Sequence, residues 1–579
     1  MKSFGKFFRS AAGVTLSATM LLGFAACGGG GGGLGNRGDN ITLKVWLSTD
    51  SYSRATLMEM EKYFNENVAD GFSVRITQQS SGFQASLASQ LSNGSVDVVE
   101  INDQYAKQYI IPGYLLSLDE YVEEGTIDIS DMSVSSVDRF RLNASTGDVG
   151  EGQPLYAIPK DSQPVAMYYN VTAMEGLGVN IISIPEEELE SYNEANGTSF
   201  LPHGFYEYAS DPTNGKLKSS TIGDVTAYRV FNDCIPMNWE ELVTLSQYFT
   251  DDESETSTTY GYYSEWWFNY GWSVGGDCLE NGPDGNLKFT LCDKTPNYLV
   301  TKATEVNGTQ YEAGELLSYV DKLYVVANGV SDALYEIPSQ YDAFAQFCAL
   351  SQVKGVNVTS DGSVKGYGIS PNPTRLGNTS RSAVLTTELA AMVAAGTDEM
   401  AVLKSTMAAR GLEWGIAPLA QYREYNEDGT LKTVNGTPVK GIAATHNLQS
   451  ALAICSKTDY PEECAKFIGW WASEEAQKML LSTGTRVSCL NSLNASDEAQ
   501  EILSEAFGCE NVGAIVLAAR SAMQGDWSYV EDGNWITNWA NDLNTDVRNG
   551  EKTIDEFWSE WETTTNDYLA SHYTTKKYR

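Results

Sequence analysis

ITLKVWLSTD (41–50), FSVRITQQS (72–80) and VDVVEIND (96–103) decide the fold class. Each is a short apolar run, rich in β-branched residues, that ends abruptly in polar residues, as a buried strand does. Between the first two, Leu57, Met60, Phe64 and Val68 recur at three- and four-residue steps, which predicts a helix over 55–68. Between the second and third, 83–91 reads as a shorter helix closed by Asn93-Gly94. Strands alternating with helices in units of this size imply a mostly parallel sheet with right-handed crossovers, an α/β fold. In such sheets ligands sit beyond the carboxyl ends of the strands. That rule puts Ser48 and Asp50, Gln79 and Ser80, and Asp103 and Gln104 at the edge of a cleft. All are hydrogen-bonding types and none is basic, which suits a polyhydroxyl ligand better than a phosphate or an acid.

Upstream of this unit the chain reads as an export signal. Lys2, Lys6 and Arg9 form a basic segment, residues 11–26 are small and apolar, and LLGFAAC ends at Cys27. This resembles a bacterial lipobox, with Phe24 where the pattern has Leu, and it implies cleavage after residue 26 and lipid on Cys27. Residues 28–33 are all glycine, so 27–40 is expected to serve as a flexible tether. The Gly33–Gly38 stretch spells GxGxxG, but it follows no strand and opens no helix, so it carries no dinucleotide reading.

Net charge is −38 over 579 residues, and loss of residues 1–26, whose only charged groups are Lys2, Lys6 and Arg9, takes it to −41. A surface that acidic argues against nucleic acid and against a basic membrane-binding patch. With three histidines and no CxxC pair a zinc site is not expected, nor is any other metal or cofactor. The eight cysteines after Cys27 allow disulfides, with Cys278–Cys292 and Cys489–Cys509 the nearest pairs, or simply buried thiols.

Four stretches carry a resemblance. VDVVEIND runs on to PGYLLSLDEYV (112–122). GQPLYAIPKDSQPVAMYYNVTAMEGLGV spans 152–179, and IPMNWEELVTLSQYFTDD spans 235–252. LEWGIAPLAQYREYNEDGTL (412–431) is followed by PEECAKFIGWWASEEAQKMLLSTGTRVSC (461–489). In this order they are similar to the family 1 extracellular solute-binding proteins, the group of bacterial ABC sugar importers that includes maltose-binding protein. The resemblance implies a two-lobed periplasmic-binding-protein-like fold with a ligand cleft at the lobe interface and a hinge crossed more than once. It implies a carbohydrate ligand, permease partners in the membrane, attachment to the outer face of the cytoplasmic membrane through the lipid, and a monomer without catalytic residues. The expected parsing is 41–160 plus 384–443 for lobe 1, and 161–383 plus 444–579 for lobe 2. Residues 180–233 and 289–350 are read as insertions.

Sugars offer hydroxyls, which pair with carboxylates, amides and arginine, and flat C–H faces, which stack on aromatic rings. The densest aromatic cluster, Tyr260 to Trp272, supplies Trp266, Trp267 and Trp272 as candidate platforms, with most of its rings expected in the core. Trp535 is a further candidate, whereas Trp46, Trp470, Trp471 and Trp539 follow core periodicity. Asp161 and Gln163, after the crossing strand, form the candidate fringe of the second lobe. Glu388, His446, Asn447 and Arg486 complete the candidate set.

Three other classes fit less well. A glycoside hydrolase needs two facing carboxyls, which no spacing identifies here. A calcium-dependent adhesin would use 281–285 and 426–429, which read better as hairpin turns. A peptide receptor is the nearest alternative within transport, and it lacks both a basic clamp and a use for the aromatic cluster.

Overall fold

A computed structural model describes residues 41–48, 54–79, 83–250, 260–377, 379–447, 450–509, 511–530, 535–572, 574 and 576–577. The expected β-α-β-α-β start is present: β1 is Ile41–Ser48, α1 Arg54–Tyr63, β2 Phe72–Gln79, α2 Gln84–Asn93 and β3 Val98–Asn102. Leu57, Met60 and Phe64 are buried, but the last turn, Phe64–Val68, widens to a π-helix. The wider turn breaks the 3.6-residue stripe, and Val68 is left 39% exposed rather than buried. Gly94 ends α2 at φ 64°, a left-handed cap that suits glycine.

Two sheets organise the remainder. In the first, β1 lies between β2 and β3, all parallel. Strand Ser450–Ile454 then joins antiparallel to β3, with β4 (Ala157–Pro159) beyond it. In the second, β5 (Val165–Asn170) sits antiparallel between Ala390–Gly396 and Trp414–Ala417, and Tyr260–Tyr263 closes the other edge. The period of two along β5 explains why this sheet has two apolar faces. Ala166 and Tyr168 join the core shared with β1–β3, while Val165, Met167 and Tyr169 face the core that holds the aromatic cluster.

These pairings correct the parsing expected from the sequence. Residues 384–443 do not return to the first sheet: Ala390–Gly396 and Trp414–Ala417 both pair with β5. The return comes instead at Ser450–Ile454, inside the span assigned to the second lobe. A seven-residue apolar strand such as AAMVAAG reads the same in either sheet, so its pattern cannot say which one it completes. The chain thus passes between the two sheets at 160–164 and again between Ala417 and Ser450, and Asn511 Nδ2 donates to the carbonyls of Asp233 and Ile416.

The two segments read as insertions form their own small packing units. Residues 180–232 contribute a four-stranded sheet over Ile184, Leu189, Phe200, Val230 and Ile235. The second insertion pairs Asn297–Val300 with Leu334–Ile337 and adds a hairpin and the helix Tyr319–Asn328 over Tyr298, Val306 and Val325. Residues 281–285 connect the antiparallel strands Leu279–Asn281 and Leu287–Phe289, and 426–429 turn between the bridged Tyr425 and Leu431, so both are hairpin turns as expected. The eight cysteines from Cys234 onward are free thiols, all but Cys234 buried.

Candidate functional site

The two crossings run side by side. Pro164 bridges Asn447, and Ser162 bridges Val487. Asn447 staples them: its Oδ1 accepts from the Gln163 amide at 2.7 Å and its Nδ2 donates to Ser162 Oγ at 2.9 Å. Thr445 Oγ1 adds a bond to the Val165 carbonyl. Predicted residues Gln163 and Asn447 are therefore part of the hinge itself.

A buried charge network lies beneath. Lys160 Nζ is 2.5 Å from Asp161 Oδ2 and 3.7 Å from Glu100 Oε2, and Arg486 Nε is 3.3 Å from the same Asp161 oxygen. Burial works against the ammonium of Lys160, but Asp161 and Glu100 outweigh it and hold its pKa above the usual value. Burial pushes the Glu100 carboxyl up, opposed by Lys160. The amide of Ser48, at the end of β1, donates to Glu100 at 2.8 Å, which ties the first strand end to this network.

On the other side of Asn447, Arg139 Nη1 donates to the Asn447 carbonyl at 2.7 Å and lies 3.2 Å from Asp103 Oδ2. Asp103 is buried just after β3 and also accepts from the Gln104 amide. Arg139 Nε and Nη2 are buried and lack a partner among the described residues. Next along the hinge strand, His446 stacks on Trp266 at 4.8 Å and 26°. The Arg381 guanidinium lies 5.1 Å from the Trp266 ring centre and pairs with Glu265 at 2.5 Å and Glu399 at 3.2 Å. Burial, with Arg139 and Arg381 nearby, drives the His446 pKa down to about 3, so the ring is neutral.

The hinge therefore gathers Asp103, Asp161, Gln163, His446, Asn447, Arg486 and Trp266 into one continuous polar and aromatic region. Gln79 and Gln104 sit half-buried at their strand ends. Trp267 is half-buried, edge-on to Trp539. Trp272 is 2% exposed and packs on Phe268 at 4.4 Å, and Trp535 is buried and stacked on Tyr568. Glu388 stands exposed at φ 61° and pairs with Arg410 at 2.6 Å. Cys27, Asp50 and Ser80 lie outside the described residues. Arg139, Arg381 and Glu265 were missed: Arg139 and Arg381 belong to no motif, and Glu265 stood unremarked within the aromatic cluster.

Asp277, Cys278 and Asp526 also approach closely enough to hold an ion, but the Lys577 ammonium lies against both carboxylates, 2.8 Å from Asp526. It supplies their positive charge.

Two sheets joined at 160–164 and again before Ser450, with polar and aromatic side chains concentrated at the junction, give the two-lobed α/β frame of a solute receptor. The family comparison agrees: residues 59–502 match the model for the bacterial extracellular solute-binding proteins, and the chain belongs to that family. Among solved structures it is similar to the ABC substrate-binding protein Lmo0181 of Listeria monocytogenes in complex with cycloalternan. The TM-score is 0.54 and the identity 14%, over 92% of this chain and 100% of that one. It is equally similar to the cyclic alpha-maltosyl-1,6-maltose binding protein of Arthrobacter globiformis, with TM-score 0.54 and 14% identity over 92% and 99% of the chains. The galacto-N-biose-/lacto-N-biose I-binding protein of Bifidobacterium longum follows at TM-score 0.51 and 14% identity, over 92% and 98%. At such identities the likeness concerns the fold. No curated protein sequence matches. Among the described residues no helix is long and apolar enough to cross a membrane.

Proposed function

We propose that this chain captures a neutral carbohydrate at the hinge and delivers it to the permease of an ABC importer, without catalysis. The observation that carries this reading is Trp266, a half-exposed ring at the junction, flanked by His446 and by the Arg381–Glu265 pair. An indole face suits the C–H face of a sugar, and the charged groups beside it suit its hydroxyls. Arg139, Arg381 and Arg486 each already face a carboxylate, so the charge of these three is balanced within the protein and a neutral ligand suits them better than an acid. The three relatives above are described with oligosaccharides, which supports the same ligand class.

Capture works by hinge rotation: a ligand touching both lobes biases the closed state. Lobe 1 is then 41–159 with the segment after 450, and lobe 2 is 165–445 with the C-terminal segment. Lipid on Cys27 and the glycine tether hold the receptor, as a monomer, at the outer face of the cytoplasmic membrane. Calorimetry of the chain from residue 39 against a panel of sugars and peptides tests the reading. Binding of a sugar without product release is expected, and Trp266→Ala is expected to weaken it by about 1 kcal/mol or more. Binding of peptides only would replace the ligand class, and hydrolysis of the sugar would replace the receptor reading.

A further inference from the structure

The second lobe holds a cavity of about 490 Å³, within the roughly 300–1,000 Å³ range of small-molecule sites. Its walls come from three directions. Trp272 belongs to the helix Phe268–Ser273, and Tyr311 belongs to the hairpin of the second insertion. Gln524 and Tyr529 follow the strand Ala522–Met523, which pairs in parallel with the hinge strand Thr445–His446. The cavity thus begins beside the hinge, and the inserted module closes its far side.

The lining has the chemistry of a sugar site. Trp272, Tyr311 and Tyr529 share the lining with the carboxylates Asp277, Glu280 and Glu315, the amide Gln524 and the ammonium of Lys577. Asp277 is neutralised by Lys577. The indole Nε1 of Trp272 is buried and has no acceptor among the described residues, so one donor in this wall is unmatched by protein. A buried donor of this kind costs stability unless something accepts from it. Phe268 packs between Trp272 and Trp266, with ring centres 4.4 Å and 5.5 Å away, so the cavity wall and the hinge platform are linked through one buried aromatic cluster.

We propose that this cavity is an accessory subsite for a further ring of an oligosaccharide whose other end lies on Trp266. This rests on the carbohydrate reading above and adds a length preference set by the inserted module. Free sugars too short to reach past Phe268 would ignore it.

The test is calorimetry of the mature chain against neutral gluco-, galacto-, manno- and xylo-series sugars, from monosaccharides to long oligomers. Wild type is expected to bind the best series about tenfold more tightly once the oligomer is long enough to enter the cavity. Tyr311→Ala is expected to abolish that gain while leaving the shortest bound sugar unchanged. Leu316→Trp, which fills the cavity instead of emptying a wall, is expected to do the same and covers the case in which Tyr311→Ala unfolds the module. Affinity independent of length in wild type overturns the proposal, as does unaltered length dependence in both variants. Equal loss at every length in a variant that melts like wild type also overturns it. Sugars that bind but ignore the variants sink the subsite alone, whereas no binding of any sugar by wild type sinks the carbohydrate reading itself.

Discussion

His446 shows how one buried ring records its surroundings. Its pKa falls to about 3 because burial, Arg139 and Arg381 all oppose a positive charge. An unfolded histidine titrates near 6.5, so between about pH 6.5 and 3 the unfolded chain binds a proton that the folded chain refuses. Stability contributed by this residue is therefore complete above 6.5 and is lost as pH falls, at ~1.4 kcal/mol per unit. Asp233, raised to about 6 by burial, and Asp526, raised to about 7 by burial and by Asp277, act in the opposite sense over the same range. The prediction is thus a difference: urea unfolding of wild type and His446→Gln from pH 7 to 4 should show the steeper acid loss in wild type. Parallel curves would mean the imidazole is charged in the folded protein. Asn447 makes a second case at this scale. Asn447→Ala removes the acceptor for the Gln163 amide and the donor to Ser162, leaving both unmatched beside the hinge. A loss of about 1–3 kcal/mol in unfolding free energy is expected, and a change below a few tenths would show that water replaces the staple.

At the scale of elements, the first lobe was legible because its strands carry their own punctuation. ITLKVWL and VDVVEI end in polar residues at the strand tips, and the helices between them show a clean three-to-four-residue stripe up to Phe64. The second lobe was less so. Its central strand β5 is buried at every position, and its partners Ala390–Gly396 and Trp414–Ala417 are as uniformly apolar, so periodicity carries no address. Hence nothing in the apolar run Ala390–Gly396 or in Trp414–Ala417 tells from the sequence that both pair with β5. The site shows the same division. Strand ends and the crossing segment led to Asp103, Asp161 and Gln163, and the aromatic run led to Trp266. Arg139 caps the short helix Val134–Asp138 and Arg381 opens the short helix Arg381–Thr386, and their approach to the hinge depends on tertiary packing. Trp272 shared the same run as Trp266 but falls in the helix Phe268–Ser273, every residue of which is buried, whereas Trp266 precedes that helix and is partly exposed.

For the whole molecule, charge separates two ligand classes that the fold does not. The chain carries −38 over 579 residues, and a field of that size repels anions and strains the compact state through self-repulsion. Salt shortens the reach of such a field to roughly 10 Å at 0.1 M and about 8 Å at 0.15 M. Raising ionic strength from about 10 to 150 mM is therefore expected to raise the melting temperature of the free protein. Binding should respond differently. A neutral sugar exchanges hydrogen bonds with water for hydrogen bonds with groups whose charges are already paired within the protein, as Arg139 is with Asp103 and Arg381 with Glu265. Its affinity should stay constant within about twofold across that salt series. A uronic or phosphorylated ligand would instead bind more tightly as salt rises, because screening relieves its repulsion from the surface. Calorimetric titration of the best-bound sugar at the two ionic strengths distinguishes these outcomes. A marked salt dependence would move the ligand class from neutral to charged while leaving the two-lobed receptor intact.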